Sequence, residues 1–286
     1  MIPSNIPLMV PSMAPSNYKE IKFLSRGAHG SCYLCERTDD VLQTKVVIKK
    51  IPLVDPEKQK EEINILSRFR HPFIVGFFET FVDSIGNMNI VMQYMEGGNL
   101  ADFLHERSLP VPKAYLNDDQ VADYLGQITM ALEYLHRNNI IHRDLKPDNI
   151  LMNASKKVLK VADFGISKEM EDSGPSKTFI GTSNYVAPEM YMGRSYDKTV
   201  DIWALGCVLY ELTELERAFT GCHAALVNNI LKASYSKPKR CSNPILLQIM
   251  LDCLSVTPER RPRARDILAS PVVLLAIGRI CAMCEV

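Results

Sequence analysis

The residues of this chain able to do chemistry come in a set order. Ser25-Arg26-Gly27-Ala28-His29-Gly30-Ser31-Cys32 is followed by Val46-Val47-Ile48-Lys49, by the run His142-Arg143-Asp144-Leu145-Lys146-Pro147-Asp148-Asn149, and by Asp163-Phe164-Gly165. Glycines at 27 and 30 would let backbone amides approach phosphate oxygens where a Cβ would intrude, although two glycines alone describe a hairpin turn equally well. A lysine facing inward from a buried strand is costly unless an anion meets it, so Lys49 calls for one. Lys50 points to the other face and is expected in solvent. Phosphoryl transfer needs a nucleotide held, a metal placed, charge neutralised and an acceptor hydroxyl oriented. Each need has a candidate here. The last two stretches are separated by 14 residues, from Asn149 to Asp163, and their joint occurrence by accident is hard to sustain.

The elements that must position these residues can be read from periodicity. From Tyr18 to Tyr94 the pattern is strand-rich, with runs at Ile21–Leu24, Ser31–Cys35, Lys45–Ile51, Val75–Val82 and Met88–Tyr94. Asp55-Pro56 reads as an N-cap followed by Pro at N1, opening a helix to about Phe69 with Ile63, Leu66 and Phe69 on one stripe. After Gly97-Gly98 the pattern turns helical. Val121, Leu125, Ile128, Leu132 and Leu135 mark a helix with one buried face, and Val200–Leu215 is apolar nearly all round, as a deeply buried helix is. Further helices are expected over Ala225–Ala233, Ile245–Leu254 and Ala264–Ala269.

Composition narrows the class. A chain of 286 residues, 47% hydrophobic and 23% charged, buries a substantial core and is not disordered as a whole. Lys plus Arg and Asp plus Glu both number 33, so net charge offers no case for nucleic acid or an anionic membrane. Any phosphate site must be local. The spacings Cys32/Cys35 and Cys281/Cys284 suggest metal binding at first sight. Residues three apart on a strand point to opposite faces, and the second pair has no Cys or His neighbours to complete four ligands. Reduced cysteines acting as small hydrophobes in an intracellular protein are expected. Pro3, Pro7, Pro11 and Pro15 forbid a signal-peptide helix, and no run is long enough to span a bilayer. Residues 1–17 read as a disordered tail, 18–94 and 95–278 as two lobes, and 279–286 as a frayed C-terminal tail.

The run 142–149 resembles the H-R-D-L-x-x-x-N catalytic loop of protein kinases at every defined position, and Asp163-Phe164-Gly165 resembles the D-F-G after it. Val46-Val47-Ile48-Lys49 is similar to V-A-I-K, and residues 25–32 to the G-x-G-x-x-G-x-V loop, with Ser25 for the first glycine and Cys32 for the valine. The resemblance spans residues 18–277. It implies an α+β, two-lobed protein kinase fold: a small β-sheet N-lobe with one main helix, a larger helical C-lobe, and a hinge near Gln93–Met95. By the same resemblance, Asp144 accepts the proton of a Ser or Thr hydroxyl, Lys146 contacts the transferring phosphate, and Asn149 and Asp163 hold magnesium. Ser25, Arg26, Gly27, Ala28, His29, Gly30, Ser31, Cys32, Lys49, Glu62, Met92, Gln93 and Met95 are then expected around ATP, with Glu62 pairing Lys49. Phe164 and Gly165 complete the D-F-G turn. Glu189, in Ala187-Pro188-Glu189, pairs with Arg261, and Asp201 holds the catalytic-loop backbone. Arg143, a cation beside the base, favours a phosphorylated activation loop. Thr178 matches the phosphorylated position, and Thr182 contacts Asp144 and Lys146.

Arg26-Gly27-Ala28, Asp163 through Lys168, and Asp201-Ile202-Trp203-Ala204-Leu205-Gly206-Cys207 through Leu212 are most similar to the NIMA-related (Nek) kinases. That implies ATP and Mg2+ as cofactors, Ser/Thr protein substrates and an upstream activating kinase, with no nucleic-acid partner and no membrane span. It also implies a cytoplasmic location extending to cytoskeleton, centrosome, cilium or nucleus. Asn99 removes an acidic group that many relatives place there, which argues against a strong basic substrate motif. The alternative is a pseudokinase scaffold, supported by Ser25, Val47 and Cys32.

Overall fold

The apolar, β-branched runs before residue 95 form strands, and a computed structural model shows how they pair. It describes residues 12–13, 17–27, 30–39, 41–53, 59, 63, 67–163 and 184–284. The chain divides into two compact units, 1–95 and 96–286.

In the first unit, β1 (Ser12–Met13), β2 (Tyr18–Gly27), β3 (Gly30–Arg37), β4 (Lys45–Pro52), β5 (Phe77–Val82) and β6 (Asn87–Gln93) make one sheet in the order β1-β5-β6-β4-β3-β2. All pairs are antiparallel except β1 on β5. Strand alternation feeds two apolar clusters. Cys35, Val46, Ile48, Phe81 and Val91 form one; Ile63, Phe77, Met88 and Ile90 form the other, so adjacent Ile90 and Val91 go to different clusters. Gln59, Ile63 and Ser67 are helical.

Within the stretch 1–17, expected as a tail, the described residues Ser12 and Met13 pair in parallel with Phe81 and Val82. An open edge of β5 offers unpaired backbone groups, and two residues between Pro11 and Pro15 suffice to cover part of it.

In the second unit, α1 (Leu100–Ser108) begins at Asn99, whose Oδ1 accepts the Asp102 N–H at 2.7 Å. A side-chain amide at 99 therefore serves as a helix cap. α2 (Asp118–Arg137) starts on a capping box made by Asn117 and Gln120. β7 (Ile150–Met152) and β8 (Leu159–Val161) form a two-stranded sheet. α3 (Pro188–Tyr191), α4 (Thr199–Glu214), α5 (His223–Leu231), α6 (Pro244–Cys253), α7 (Ala264–Leu268) and α8 (Pro271–Cys284) follow. α4 is buried nearly all round. At Gly206 a Cβ would lie 2.8 Å from the Cys253 Cβ, so glycine permits the close approach of α4 and α6. Burial pushes the Cys207 and Cys253 thiols well up, leaving them as inert core groups. No disulfide joins the described cysteines.

α8 runs on to Cys284, into the stretch 279–286 expected as a tail. Val273 and Ile280 reach over Gly126 of α2. Arg279 grips Asp123 at 2.7 Å and Asp119 at 3.2 Å. This ionic clasp is not something periodicity reveals.

α3 is fastened by a buried ion pair. Arg261 donates to Glu189 through two parallel bonds of 2.6 and 2.8 Å, and two further N–H groups reach the Ser255 and Thr199 carbonyls at 2.8 and 3.1 Å. Its guanidinium lies 5.2 Å from the Trp203 ring centroid. Both charges are out of water, so removing one leaves the other unpaired. Arg261→Met should lower the unfolding free energy by about 3–5 kcal/mol. Adding Glu189→Leu should recover part of that loss in urea titrations; strictly additive losses would contradict the pairing.

Candidate active site

The second unit places Asp144, Lys146, Asn149 and Asp163 by short-range topology. Asn149 precedes β7 and Asp163 follows β8 by two residues. Because Ile150 pairs with Val161, the two ends of the hairpin meet, and the Ala162 N–H donates to the Asn149 carbonyl at 2.8 Å. Residues distant in sequence thus become neighbours. α2 braces this hairpin: Gln127 donates to the Lys157 carbonyl at 3.0 Å and accepts the Leu159 N–H at 2.8 Å, and the Tyr124 hydroxyl donates to the Lys156 carbonyl at 2.7 Å.

Around Asp144 the polar groups converge. Lys146 Nζ lies 2.8 Å from its Oδ2, and Asn149 Nδ2 donates to the same oxygen at 3.0 Å and to the Asp144 carbonyl at 2.8 Å. Those two bonds fix the Asn149 amide, so its Oδ1 is the end turned away from Asp144. Two flanking donors keep the carboxylate in one orientation.

The loop itself is strained. Arg143 has φ 63° and Asp163 has φ 52°, both in the left-handed region that disfavours a Cβ. Asp201 of α4 supplies the restraint. Its Oδ1 accepts the Arg143 N–H at 2.9 Å, and its Oδ2 accepts the His142 N–H at 2.8 Å and lies 2.8 Å from His136 Nε2. His142 is fully buried, and burial lowers its pKa more than the nearby carboxylates of Asp201, Asp144 and Asp163 raise it. Its ring is therefore neutral. Nδ1 faces the Asp144 N–H at 3.3 Å and must accept, so Nε2 carries the proton and donates to the Ala162 carbonyl at 3.1 Å. One imidazole thus links the Asp144 backbone to the end of β8.

In the first unit, Gly27 pairs with Gly30, Arg26 with Ser31, and Ser25 with Cys32. Gly30 has φ 138°, and a Cβ there would lie 2.3 Å from the Lys50 carbonyl, so this position excludes other residues. Lys49 stands opposite Cys32 on β3 and Ile90 on β6, on the strand face shared by Val47 and Ile51. Lys50 is not simply solvated: it pairs with Glu20 at 2.8 Å and lies 4.5 Å from the Tyr33 ring centroid. Met92 packs on the Ile63 cluster, Met95 is buried, and Gln93 exchanges backbone and side-chain bonds with Gly76. Ala28, His29, Glu62, Phe164, Gly165, Thr178 and Thr182 lie outside the described residues.

Sequence reasoning missed His136 and Gln127. Both are polar positions on the buried face of α2, and that mismatch is the signal that could have found them. It also missed Tyr185, whose hydroxyl donates to Glu211 at 2.6 Å, with burial raising the pKa of both groups.

A family model described as a protein kinase domain matches residues 18–273. The Caenorhabditis elegans serine/threonine-protein kinase nekl-2 is 38% identical over 269 residues, covering 90% of this chain and 74% of that protein. The chain is a Nek-type protein kinase domain. Danio rerio Nek8 is 36% identical over 90% of this kinase, and human Nek2 is 32% identical over 92% of it. The kinase spans 37% of the length of Nek8 and 61% of that of Nek2. A crystal structure of Rad53 1–466 in complex with AMP-PNP superposes with a TM-score of 0.77 at 27% identity, covering 90% of this kinase and 65% of that chain. The α+β kinase fold follows from that likeness. Among the described residues no helix is long and apolar enough to cross a membrane.

The neutral, buried His142 makes stability depend on pH with a defined sign. Its folded pKa lies below the ordinary 6.5, so as pH falls through that value the unfolded chain takes up a proton that the folded kinase refuses. Stability is then lost with acidification, by at most about 1.4 kcal/mol per pH unit. Urea midpoints should fall between pH 7.5 and 5.5, and less steeply in His142→Asn. Equal slopes in the two proteins would contradict the assignment.

Proposed function

We propose that this Nek-type kinase transfers the γ-phosphate of ATP to serine or threonine hydroxyls of protein substrates. The observation that carries this is the convergence of Lys146 and Asn149 on the Asp144 carboxylate, with Asp163 set beside Asn149 by the hairpin. Asp144 would orient the acceptor hydroxyl and take its proton. Lys146, paired with Asp144 here, would also neutralise charge on the phosphate, as a mobile point charge can.

The residues fit magnesium. Asn149 Oδ1 and the Asp163 carboxylate are hard oxygen donors, and a magnesium site needs only one or two protein oxygens beside phosphates and water. Asn149 Nδ2 is already engaged by Asp144, which leaves the oxygen for the cation. Bound there, the ion would offset negative charge on the transferring group. Lys49 with Glu62, the glycine turn over residues 25–32, and Met92, Gln93 and Met95 would hold the nucleotide. The same reading makes Thr178 a phosphorylation site for an upstream kinase, with Arg143 receiving the charge and Thr182 contacting the catalytic loop. The resemblance to Nek kinases extends the proposal to a cytoplasmic location, including cytoskeleton, centrosome, cilium or nucleus.

A magnesium-ATP assay on peptides containing Ser and Thr should give phosphorylated product from the unmodified chain. Asp144→Asn should lower kcat by about 10²–10⁴-fold while leaving nucleotide affinity within a few-fold. Nucleotide binding without product from the unmodified protein would overturn the reading in favour of a scaffold.

A further inference from the structure

The N-terminal segment touches both sides of the first unit's sheet. Ser12 and Met13 lie along β5, and five residues later Tyr18 opens β2, paired with Arg37 of β3. In the order β5-β6-β4-β3-β2 four strand spacings separate β5 from β2, about 19 Å if the sheet were flat. Yet the Tyr18 ring stacks on Phe81 of β5, with centroids 5.9 Å and planes 8° apart. Its hydroxyl donates to Glu79, also on β5. The sheet is therefore curled strongly on itself, and Tyr18 closes it over the cluster of Cys35, Val46, Ile48, Phe81 and Val91. Burial, followed by the hydrogen bond and charge of Glu79, raises the phenol's pKa, so it keeps donating throughout the neutral range. Just before it, Asn17 accepts the Thr38 N–H at 2.8 Å.

This closure bears on the nucleotide turn because β2 is an edge strand, laddered among the described residues to β3 alone. It is exposed from Lys19 to Gly27 and its pairing with β3 slips at Glu20/Lys22 and at Phe23/Ser25. Glu20 reaches Lys50 of β4, and Phe23 meets Tyr33 of β3 edge-on. Tyr18 crosses from β2 to β5. β2 then runs directly into Gly27. The strand on β5 lies ahead of the family-matched stretch 18–273.

We propose that Tyr18 is a positioning residue for the nucleotide turn: together with Ser12–Met13 it straps β2 to β5 and thereby sets where Gly27 and Gly30 stand. The functional half of this rests on the ATP reading above; the structural half does not. Hydrogen exchange without nucleotide tests the second, and steady-state kinetics the first. In Tyr18→Leu, amides 19–27 should exchange about 10-fold faster while α2 keeps its protection. The KM for ATP should rise about 5-fold with kcat changed less than about 2-fold, the pattern of a lost binding contribution. Tyr18→Phe, which keeps the stack and loses the hydrogen bond, should fall between, and a chain beginning at Asn17 should shift in the same direction. If Tyr18→Leu loses protection throughout, these two milder variants carry the comparison. Unchanged exchange at 19–27 in all variants overturns the strap, and faster exchange with an unchanged KM overturns its positioning role. If the unmodified chain turns over no ATP, the ATP reading fails while exchange still decides the strap.

Discussion

One buried carboxylate organises the second unit. Asp201 sits inside α4 with its oxygens engaged by two backbone N–H groups of the catalytic loop and by His136. A charge at 1% exposure is tolerable only when its lone pairs are filled. The two N–H groups belong to His142 and Arg143, and Arg143 is held in a left-handed conformation. Without an acceptor there, that backbone would relax toward a common region and carry Asp144 with it. Strain is stored where the surroundings over-determine it, and Asp201 is the group that does so here.

From that anchor the site is assembled in layers of decreasing rigidity. α4 is locked by close contact with α6 at Gly206, and α3 is tied to the same region by Arg261, which also touches the Thr199 carbonyl at the start of α4. α2 contributes His136 to Asp201 and Gln127 to the hairpin, so one helix steadies both the loop and the strands that flank it. Asn149 and Asp163 then stand at the ends of β7 and β8, where pairing of three residues per strand sets their separation. The chemistry asks for positioned oxygens and a positioned ammonium, and each is held by an element whose packing is independent of the reaction.

Much of this is legible in the sequence. Hydrophobic periodicity marks α2 and the all-round burial of α4, because a helix that faces core on one side or on every side must say so in its residue types. The catalytic run is legible because its polar residues have fixed roles at fixed spacing. What periodicity does not carry is pairing between distant side chains. Lys50 reads as a solvated lysine, yet Glu20, a residue on another strand, claims it. Arg279 reads as part of a fraying end, yet Asp119 and Asp123 hold it, and the helix persists. Ser12 and Met13 read as a proline-rich tail, since two residues carry no strand signal and the reason for their pairing is the open edge of β5. His136 shows in the sequence only as a polar residue on the buried face of α2; its distance to Asp201 gives it its part.

The central claim, that Asp201 holds the catalytic loop in working geometry by accepting two backbone hydrogen bonds, is tested most directly by the kinetics of Asp201→Asn. The substitution keeps shape and volume but turns one acceptor oxygen into a donor, which faces an N–H of the loop or the His136 ring instead of receiving a bond. The account predicts a folded protein by circular dichroism whose kcat falls about 10–100-fold with the KM for ATP nearly unchanged, since displacing a reacting group by an ångström costs about that much. A folded Asp201→Asn variant with the kcat of the unmodified kinase would contradict it.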